Sequence, residues 1–147
     1  MRILPLQQMK PVFKKGDIKY FEKTVLPADR AHFEEGGTVH QVYATFNLAR
    51  DAEWSTRLFV LEMKEADEEG IGTFIRVQHH APALIGSRVK FTARVEEING
   101  HELICSFEAH VGTRLIASGT TGQKILKREK VNRLFESIAE TDETKGS

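Results

Sequence analysis

Residues 45–62, TFNLARDAEWSTRLFVLE, predict the central helix of this protein. The stretch contains no glycine or proline, and its apolar and small side chains recur at the spacing of one helix face. That face consists of Ala49, Ala52, Thr56, Phe59, Val60 and Met63. Thr45 occupies the expected N-cap position, where its hydroxyl would accept a hydrogen bond from a first-turn amide. A charged turn over residues 64–70 is expected to end the helix.

From Gly72 onward, the apolar side chains alternate as they do in β-strands. In GTFIRVQHH (72–80) the alternation separates two faces, Thr73, Ile75, Val77 and His79 on one and Phe74, Arg76, Gln78 and His80 on the other. Residues 88–98 and 103–111 alternate in the same way, and the Asn99-Gly100 pair between them is typical of a two-residue hairpin turn. Gly112 indicates a second hairpin, which leads into a last strand.

The remaining segments carry weaker patterns. Residues 17–26 include Ile18, Tyr20 and Phe21 and are expected to form a first strand. Residues 27–42 have little periodicity and are expected to form a long loop or lid. A short helix is expected over residues 128–136.

This order of elements predicts an α+β chain with the hotdog fold, in which a curved antiparallel sheet wraps around one long central helix. One such domain would span residues 1–147, with frayed ends at about 1–12 and 137–147. A sheet this small leaves an exposed edge, and pairing two edges across a two-fold axis would cover it. The sequence therefore predicts a homodimer, or a dimer of two such dimers.

Composition indicates an ordinary cytoplasmic globular protein. Hydrophobic residues make up 40% of the chain and charged residues 29%. The 21 basic side chains balance the 21 acidic ones, which argues against nucleic acid binding. The single cysteine, Cys105, cannot form an intramolecular disulfide, as suits a reducing compartment. We expect no membrane span, because no apolar run approaches about 20 residues. We expect no signal peptide, because the N-terminal residues lack a long apolar run and a small-residue cleavage site.

Three residues are candidates for chemistry. Glu53 lies eight residues beyond Thr45, on the shoulder of the apolar helix face, where a carboxylate is costly to bury unless it is partnered or useful. The structural alternative is an ion pair with Arg50 or Arg57. His79 shares its strand face with Ile75 and Val77, so it is either a hydrogen-bonded core residue or a proton-transfer group. Thr45 alone is more simply explained as a helix cap.

Other candidate sites lack the required spacing. The histidines, among them His101 and His110, show no zinc-binding pattern, so we expect no metal site. Neither GxSxG nor GxxxxGK[ST] occurs, which excludes the α/β-hydrolase and P-loop classes. Cys105 has interior strand parity and is expected to be a small core residue.

Four segments taken together resemble the fluoroacetyl-CoA thioesterase-like family of hotdog proteins, over about residues 40–135. They are VYAT-x7-EW (42–54), GTFIRVQHH (72–80), GSRVKFTARVEEINGHELICSFEAH (86–110) and ASGTTGQKILKREKV (117–131). The family pattern has a threonine at the start of the central helix, a glutamate eight residues later, and a histidine after a G-T-x-x-x-V strand. In this sequence, those positions fall on Thr45, Glu53 and His79.

The resemblance implies a thioesterase that hydrolyses an acyl-CoA to free acid and CoA, with no cofactor, at a site on the dimer interface. Thr45, Glu53 and His79 would be catalytic, and Gly72 would contact the substrate. The basic run over residues 124–130 is either a solvated strand end or a contact for the CoA phosphates. Two alternatives stay open: a hotdog hydratase or dehydratase, and a non-catalytic acyl-CoA-binding module.

The chain departs from the family pattern in three places. Residues 83–86 replace a T-P-x-G turn, and Gln123 followed by Lys124 stands where some members carry an arginine. The stretch GGTVHQ (36–41) does not match the phenylalanine-lined lid of the fluoroacetyl-specific member. Fluoroacetate specificity is therefore not expected.

Overall fold

The computed structural model describes residues 10–145 of the 147-residue chain. In chain order its elements are β1 (Ile18–Thr24), a short 3-10 turn (Pro27–Asp29), β2 (Arg30–Phe33), β3 (Gly37–Tyr43), α1 (Thr45–Met63), β4 (Glu68–His79), β5 (Arg88–Asn99), β6 (Glu102–Val111), β7 (Arg114–Lys127) and α2 (Arg128–Lys145).

Five strands form one antiparallel sheet in the order β1-β5-β6-β7-β4. The sheet folds around α1, which contacts all five of its strands. This arrangement confirms the predicted α+β architecture, with one sheet around one long helix. Because β4 pairs only with β7 among the described strands, β4 and β1 are the two edges of the sheet.

Alternation along the central strands builds the core. β5 turns Val89, Phe91, Ala93 and Val95 inward, and β6 turns Leu103, Cys105, Phe107 and Ala109 inward, all of them fully or almost fully buried. Burial raises the pKa of the Cys105 thiol to about 12. The predicted Asn99-Gly100 hairpin is confirmed, with Gly100 at a φ of +58°, a conformation that favours glycine.

The segment expected to be a loop or lid is partly strand. β2 and β3 pair as a separate two-stranded sheet that ends next to the start of α1. The prediction was wrong here because Gly36-Gly37 was taken as a sign of irregular chain, whereas it marks the turn of a hairpin. Gly37 has a φ of +70° at this turn.

The C-terminal helix is longer than predicted. Instead of ending near residue 136, α2 continues to Lys145, a total of 18 residues. The polar residues after position 136 suggested fraying, but Ala139, Glu140 and Glu143 are good helix formers, and residues 137–145 contain no glycine or proline. The fraying predicted for the first residues lies largely outside the described part of the chain.

β4 also differs from its prediction. It begins at Glu68, so the charged turn after α1 is shorter than expected. A β-bulge between Gly72 and Phe74 interrupts the strict alternation. Neither helix in residues 10–145 is long and apolar enough to cross a membrane.

Candidate active site

Thr45 and His79 meet at the N-terminal end of α1. Thr45 is the first residue of this helix and His79 is the last residue of β4. Thr45 Oγ1 lies 3.0 Å from His79 Nδ1, in a hydrogen bond whose donor depends on the histidine tautomer. Both side chains line a cleft of about 360 Å³. This contact agrees with the strand alternation, which places His79 on the helix side of β4.

Thr45 does not cap the helix, contrary to the sequence prediction. The N-cap residue is Ala44, and no side chain caps the first turn of α1. The Thr45 hydroxyl is directed to His79 instead. The first-turn amides, with the positive end of the helix dipole, are therefore free of a capping side chain and suited to stabilise an anion.

The surroundings of His79 favour its neutral form. Burial lowers the pKa of His79 below its ordinary value, and the neighbouring His80 acts in the same direction, while the backbone of Ala81 opposes both. His79 Nε2 is buried and has no hydrogen-bond partner among residues 10–145. A neutral imidazole with one nitrogen uncommitted is suited to proton transfer near neutral pH.

Glu53 and Gly72 meet further along α1. A Cβ added to Gly72 would lie only 2.5 Å from Glu53 Oε1, so the carboxylate occupies the space that the glycine leaves open. The bulge in β4 brings Gly72 to this face, because Gly72 pairs with Gln123 while Ile75 pairs with Thr121. Both β7 partners point towards α1. Gly72 thus replaces Thr73, the residue that strict alternation would have placed on this face.

The Glu53 carboxylate has no protein partner within the described chain, although the side chain is half-buried. The two arginines that sequence reasoning offered as partners are engaged elsewhere. Arg50 binds Asp29 and Asp51, and Arg57 donates to the carbonyl oxygen of Gly70. The ion-pair interpretation of Glu53 therefore loses its candidate partners.

The two pairs lie apart within one chain. Thr45 and Glu53 are separated by eight helical residues, about 12 Å along the axis. His79 and Gly72 are seven strand residues apart, roughly 23 Å in a fully extended strand. One small reacting group cannot touch both pairs in the same subunit.

A buried polar cluster behind Glu53 was missed by the sequence reasoning. The Thr56 hydroxyl donates to the Glu53 carbonyl oxygen and accepts from Thr121 Oγ1 and Gln123 Nε2. Its single proton and two lone pairs are then all used, which ties the helix at Glu53 to β7. The signal was present in the inward parity of Thr121, Gln123 and Ile125 on the last strand.

The remaining sequence candidates lie outside these pairs. His80 bonds Ser118 Oγ at 2.7 Å on the exposed side of the sheet. Among residues 10–145 no group of three or more His, Cys, Asp or Glu side chains is placed to hold a metal ion. In the basic run over residues 124–130, Lys127 and Arg128 are paired with Asp67 and Glu69.

Comparisons with known proteins identify the relatives of this chain. The family model for FlK, the fluoroacetyl-CoA-specific thioesterase, matches residues 25–129. A search of curated proteins found no match. A hypothetical protein of Thermus thermophilus, described as a thioesterase superfamily member, is 37% identical, with a TM-score of 0.87 over 92% of this chain and 99% of that chain.

Two further solved structures extend the comparison. A mutant of FlK in complex with fluoroacetate and CoA is 26% identical, with a TM-score of 0.73 over 81% of this chain and 99% of that chain. A hot-dog-like protein of Thermanaerovibrio acidaminovorans is 18% identical and shares the fold, with a TM-score of 0.76 over 85% of this chain and 93% of that chain. From the family match over residues 25–129 and the 37% identity to the Thermus protein, this hotdog chain belongs to the FlK family of fluoroacetyl-CoA thioesterase-like proteins.

Proposed function

We propose that this protein hydrolyses an acyl-CoA thioester, with Thr45, Glu53 and His79 as catalytic residues and Gly72 at the substrate. The observation that carries the proposal is the Thr45–His79 hydrogen bond at an uncapped helix N-terminus. A hydroxyl, a neutral imidazole and free amides at one point suit acyl transfer. The FlK structure solved with fluoroacetate and CoA supports a CoA thioester as the substrate class.

The active unit proposed here is a homodimer formed through β4. This 12-residue strand is an edge of the sheet, and its centre is exposed on both faces. Phe74 is 38% exposed and Ile75, on the opposite face, is 36% exposed. A long edge strand with exposed apolar side chains is a surface that proteins normally cover.

An antiparallel β4 pair would complete the site. If the two-fold axis passes between Ile75 and Arg76, His79 lies opposite the partner's Gly72, with Cα atoms about 5 Å apart. The partner's Glu53, which rests against that glycine, then faces the Thr45–His79 pair. Each dimer would hold two such sites. The separation of the two pairs within one chain is what favours this arrangement.

The chemistry follows from these positions. The thioester carbonyl would lie at the N-terminus of α1, where first-turn amides stabilise the negative charge that develops on oxygen. Attack by water forms the new C–O bond while Glu53 accepts a water proton. The C–S bond then breaks, and the CoA thiolate receives a proton through His79. The products are the free acid and CoA, and no cofactor takes part.

Glu53 has a second possible role, as the nucleophile. Its carboxylate would attack the carbonyl carbon and expel the CoA thiolate, which leaves a mixed anhydride that water then hydrolyses. A single turnover in ¹⁸O-labelled water tests for the covalent route. Label in the Glu53 side chain marks an anhydride that water opens at the glutamyl carbon, whereas label in the product acid alone marks attack of water on the acyl carbon, in the thioester or in the anhydride.

The primary test is a panel of acyl-CoAs assayed for release of free thiol. We expect the protein to release thiol from at least one acyl-CoA, and we expect Glu53→Gln to lower the rate of that release strongly. A change in enoyl absorbance without thiol release would indicate a hydratase. Binding without turnover across the panel would indicate a non-catalytic module, and either result rejects the thioesterase.

A further inference from the structure

α2 carries an apolar stripe that the described chain leaves largely uncovered. Val131, Leu134, Phe135 and Ile138 follow the i, i+3, i+4, i+7 spacing of one helix face. Val131 is buried against the domain, but Leu134 is 50% exposed, Phe135 56% and Ile138 47%. Three large apolar side chains in a row on one exposed face form an apolar patch of the kind that often marks an interaction surface.

The domain contacts this helix at its beginning. The backbone amide of Arg128 donates to Asp67 and its side chain pairs with Glu69, while every side chain described after Val131 is exposed. Most of the stability of a protein helix comes from packing of its apolar face, and a helix of 18 residues is marginal alone in water. The stripe is therefore expected to be covered by a partner.

The charges of α2 are placed against its own dipole. Residues 128–135 contain three basic side chains and one acidic one, Glu129, whereas residues 136–145 contain four acidic side chains and one basic one, Lys145. A helix dipole favours acidic side chains at the N-terminus and basic ones at the C-terminus, which is the reverse of this pattern. An antiparallel copy of the same helix would bring each basic half beside an acidic half.

We infer that α2 pairs antiparallel with the α2 of a second copy of this chain, across a two-fold axis near Leu134 and Phe135. The apolar stripes would form the contact, and Arg128 would lie beside the partner's Asp142. Both features that are unfavourable in the isolated helix, the exposed stripe and the reversed charges, become favourable in this pair.

The α2 axis is distinct from the β4 axis of the proposed active dimer. α2 begins beside Asp67 and Glu69, at the start of β4 and about 25 Å along the strand from the proposed two-fold axis between Ile75 and Arg76. Leu134 lies only about 9 Å further along the helix. The two contacts therefore join different copies, and together they would produce a dimer of dimers.

The first test is sedimentation of the full-length Leu134→Glu/Phe135→Glu variant. The wild-type protein is expected at about four times the chain mass of 16.6 kDa, and the variant at half the wild-type mass. Because both side chains are about half exposed in the single chain, the variant should still fold, its melting temperature should fall only by what the α2 pair contributes, and thiol release per chain should not change. The matched control, Asn132→Glu/Ser137→Glu, adds the same charge away from the stripe and should keep the wild-type mass.

The second test is a charge exchange. Arg128→Glu places two acidic side chains at each proposed Arg128–Asp142 contact, and Asp142→Arg places two basic side chains there. Each variant alone should associate more weakly than wild type, and an equimolar mixture should regain the wild-type mass. The recovery should weaken as salt is raised.

The outcomes are separable from those of the proposed function. An unchanged mass in Leu134→Glu/Phe135→Glu would overturn the α2 pair. Failure of the mixed variants to recover would overturn the antiparallel arrangement. A wild-type dimer that the variant reduces to a monomer would keep the α2 pair and reject the β4 dimer.

Discussion

Asp51 and Glu53 lie two residues apart on α1, and their carboxylates differ in burial and in hydrogen bonding. Asp51 is buried and fully engaged, since it accepts from the Tyr43 hydroxyl and pairs with Arg50 and Lys23. Glu53 is half-buried, has no protein partner within the described residues, and rests against a glycine. Asp51 joins α1 to Tyr43 and Lys23, which precede the helix in the chain. Glu53 faces the sheet edge where the proposed substrate would enter.

The difference separates a structural carboxylate from a candidate catalytic one. A buried charge with several donors is held in one geometry, and its removal leaves those donors unpaired. A carboxylate that accepts no hydrogen bonds adds little to the stability of the fold. It is free to accept a proton or to attack a carbonyl carbon. Substitutions at and around these two positions should therefore divide into losses of rate and losses of stability.

The largest expected effect is on the rate of the Glu53→Gln variant. Glutamine keeps the shape and removes the base, so kcat should fall by about 10³ or more. The melting temperature should stay the same or rise, because no partner is left unpaired. Steady-state kinetics and calorimetry on one preparation provide both numbers. A variant that melts several degrees lower at the wild-type rate would make Glu53 structural.

Asp51→Ala should show the reverse behaviour. It removes the acceptor of the Tyr43 hydroxyl and leaves Lys23 and Arg50 with only Asp29. We expect a loss of about 3 kcal/mol in the free energy of unfolding, at the low end for a buried pair because Arg50 is 54% exposed. Urea denaturation measures this. The rate per folded molecule should change far less than in Glu53→Gln.

The two adjacent histidines at the C-terminal end of β4 allow a second comparison between a candidate catalytic side chain and an exposed one. His79→Ala removes the partner of Thr45 and should lower kcat by about 10² or more. His80→Ala removes only the exposed bond to Ser118 and should keep most of the activity. Parallel kinetics on the two variants decide the point, and equal losses would show that the site is assigned to the wrong residues.

Gly72→Ala tests the contact beneath Glu53. The new methyl group would displace the carboxylate, and a shift of about 1 Å in a catalytic group costs up to 10² in rate. Stability should change little, since the end of a flexible side chain gives way. A crystal structure of the variant would show whether Glu53 has moved. Full activity with a displaced Glu53 would contradict its proposed role.

The smallest effect concerns acid stability. Burial alone would raise the pKa of Asp29, but hydrogen bonds from the Leu26 amide, Arg50 and Lys23 outweigh it and hold this pKa below its ordinary value. Asp29 therefore contributes stability above the ordinary aspartate range, and that contribution is lost as the pH falls below about 4. Chemical denaturation between pH 7 and pH 3 should show a shallower acid loss in Asp29→Asn than in wild type.

Local patterns predicted the main elements of the fold. The helical spacing from residue 45, the alternation along β5 and β6 and the Asn99-Gly100 turn all depend on short-range preferences, and the structure confirms each of them. The extent of α2 and the β2–β3 hairpin were missed because polar or glycine-containing segments carry little periodicity.

The candidate site was only partly readable from sequence. Alternation placed His79 on the helix side, where it meets Thr45. The bulge that presents Gly72 to Glu53 depends on pairing between β4 and β7, which no local pattern encodes. The hydrogen bond from Arg50 to Asp29 could not be predicted either, because these residues are 21 positions apart in the sequence.

The burial of Cys105 matters to a protein whose proposed product is itself a thiol. Disulfide exchange requires an accessible thiolate, and with a pKa of about 12 only roughly 10⁻⁵ of this side chain is ionised at pH 7. Coenzyme A disulfide, which would form on oxidation of that proposed product, therefore finds no accessible cysteine on the folded protein. Thiol reagents that report turnover likewise have no background to subtract from Cys105, and a cysteine introduced on the surface would be the sole reactive thiol of the chain.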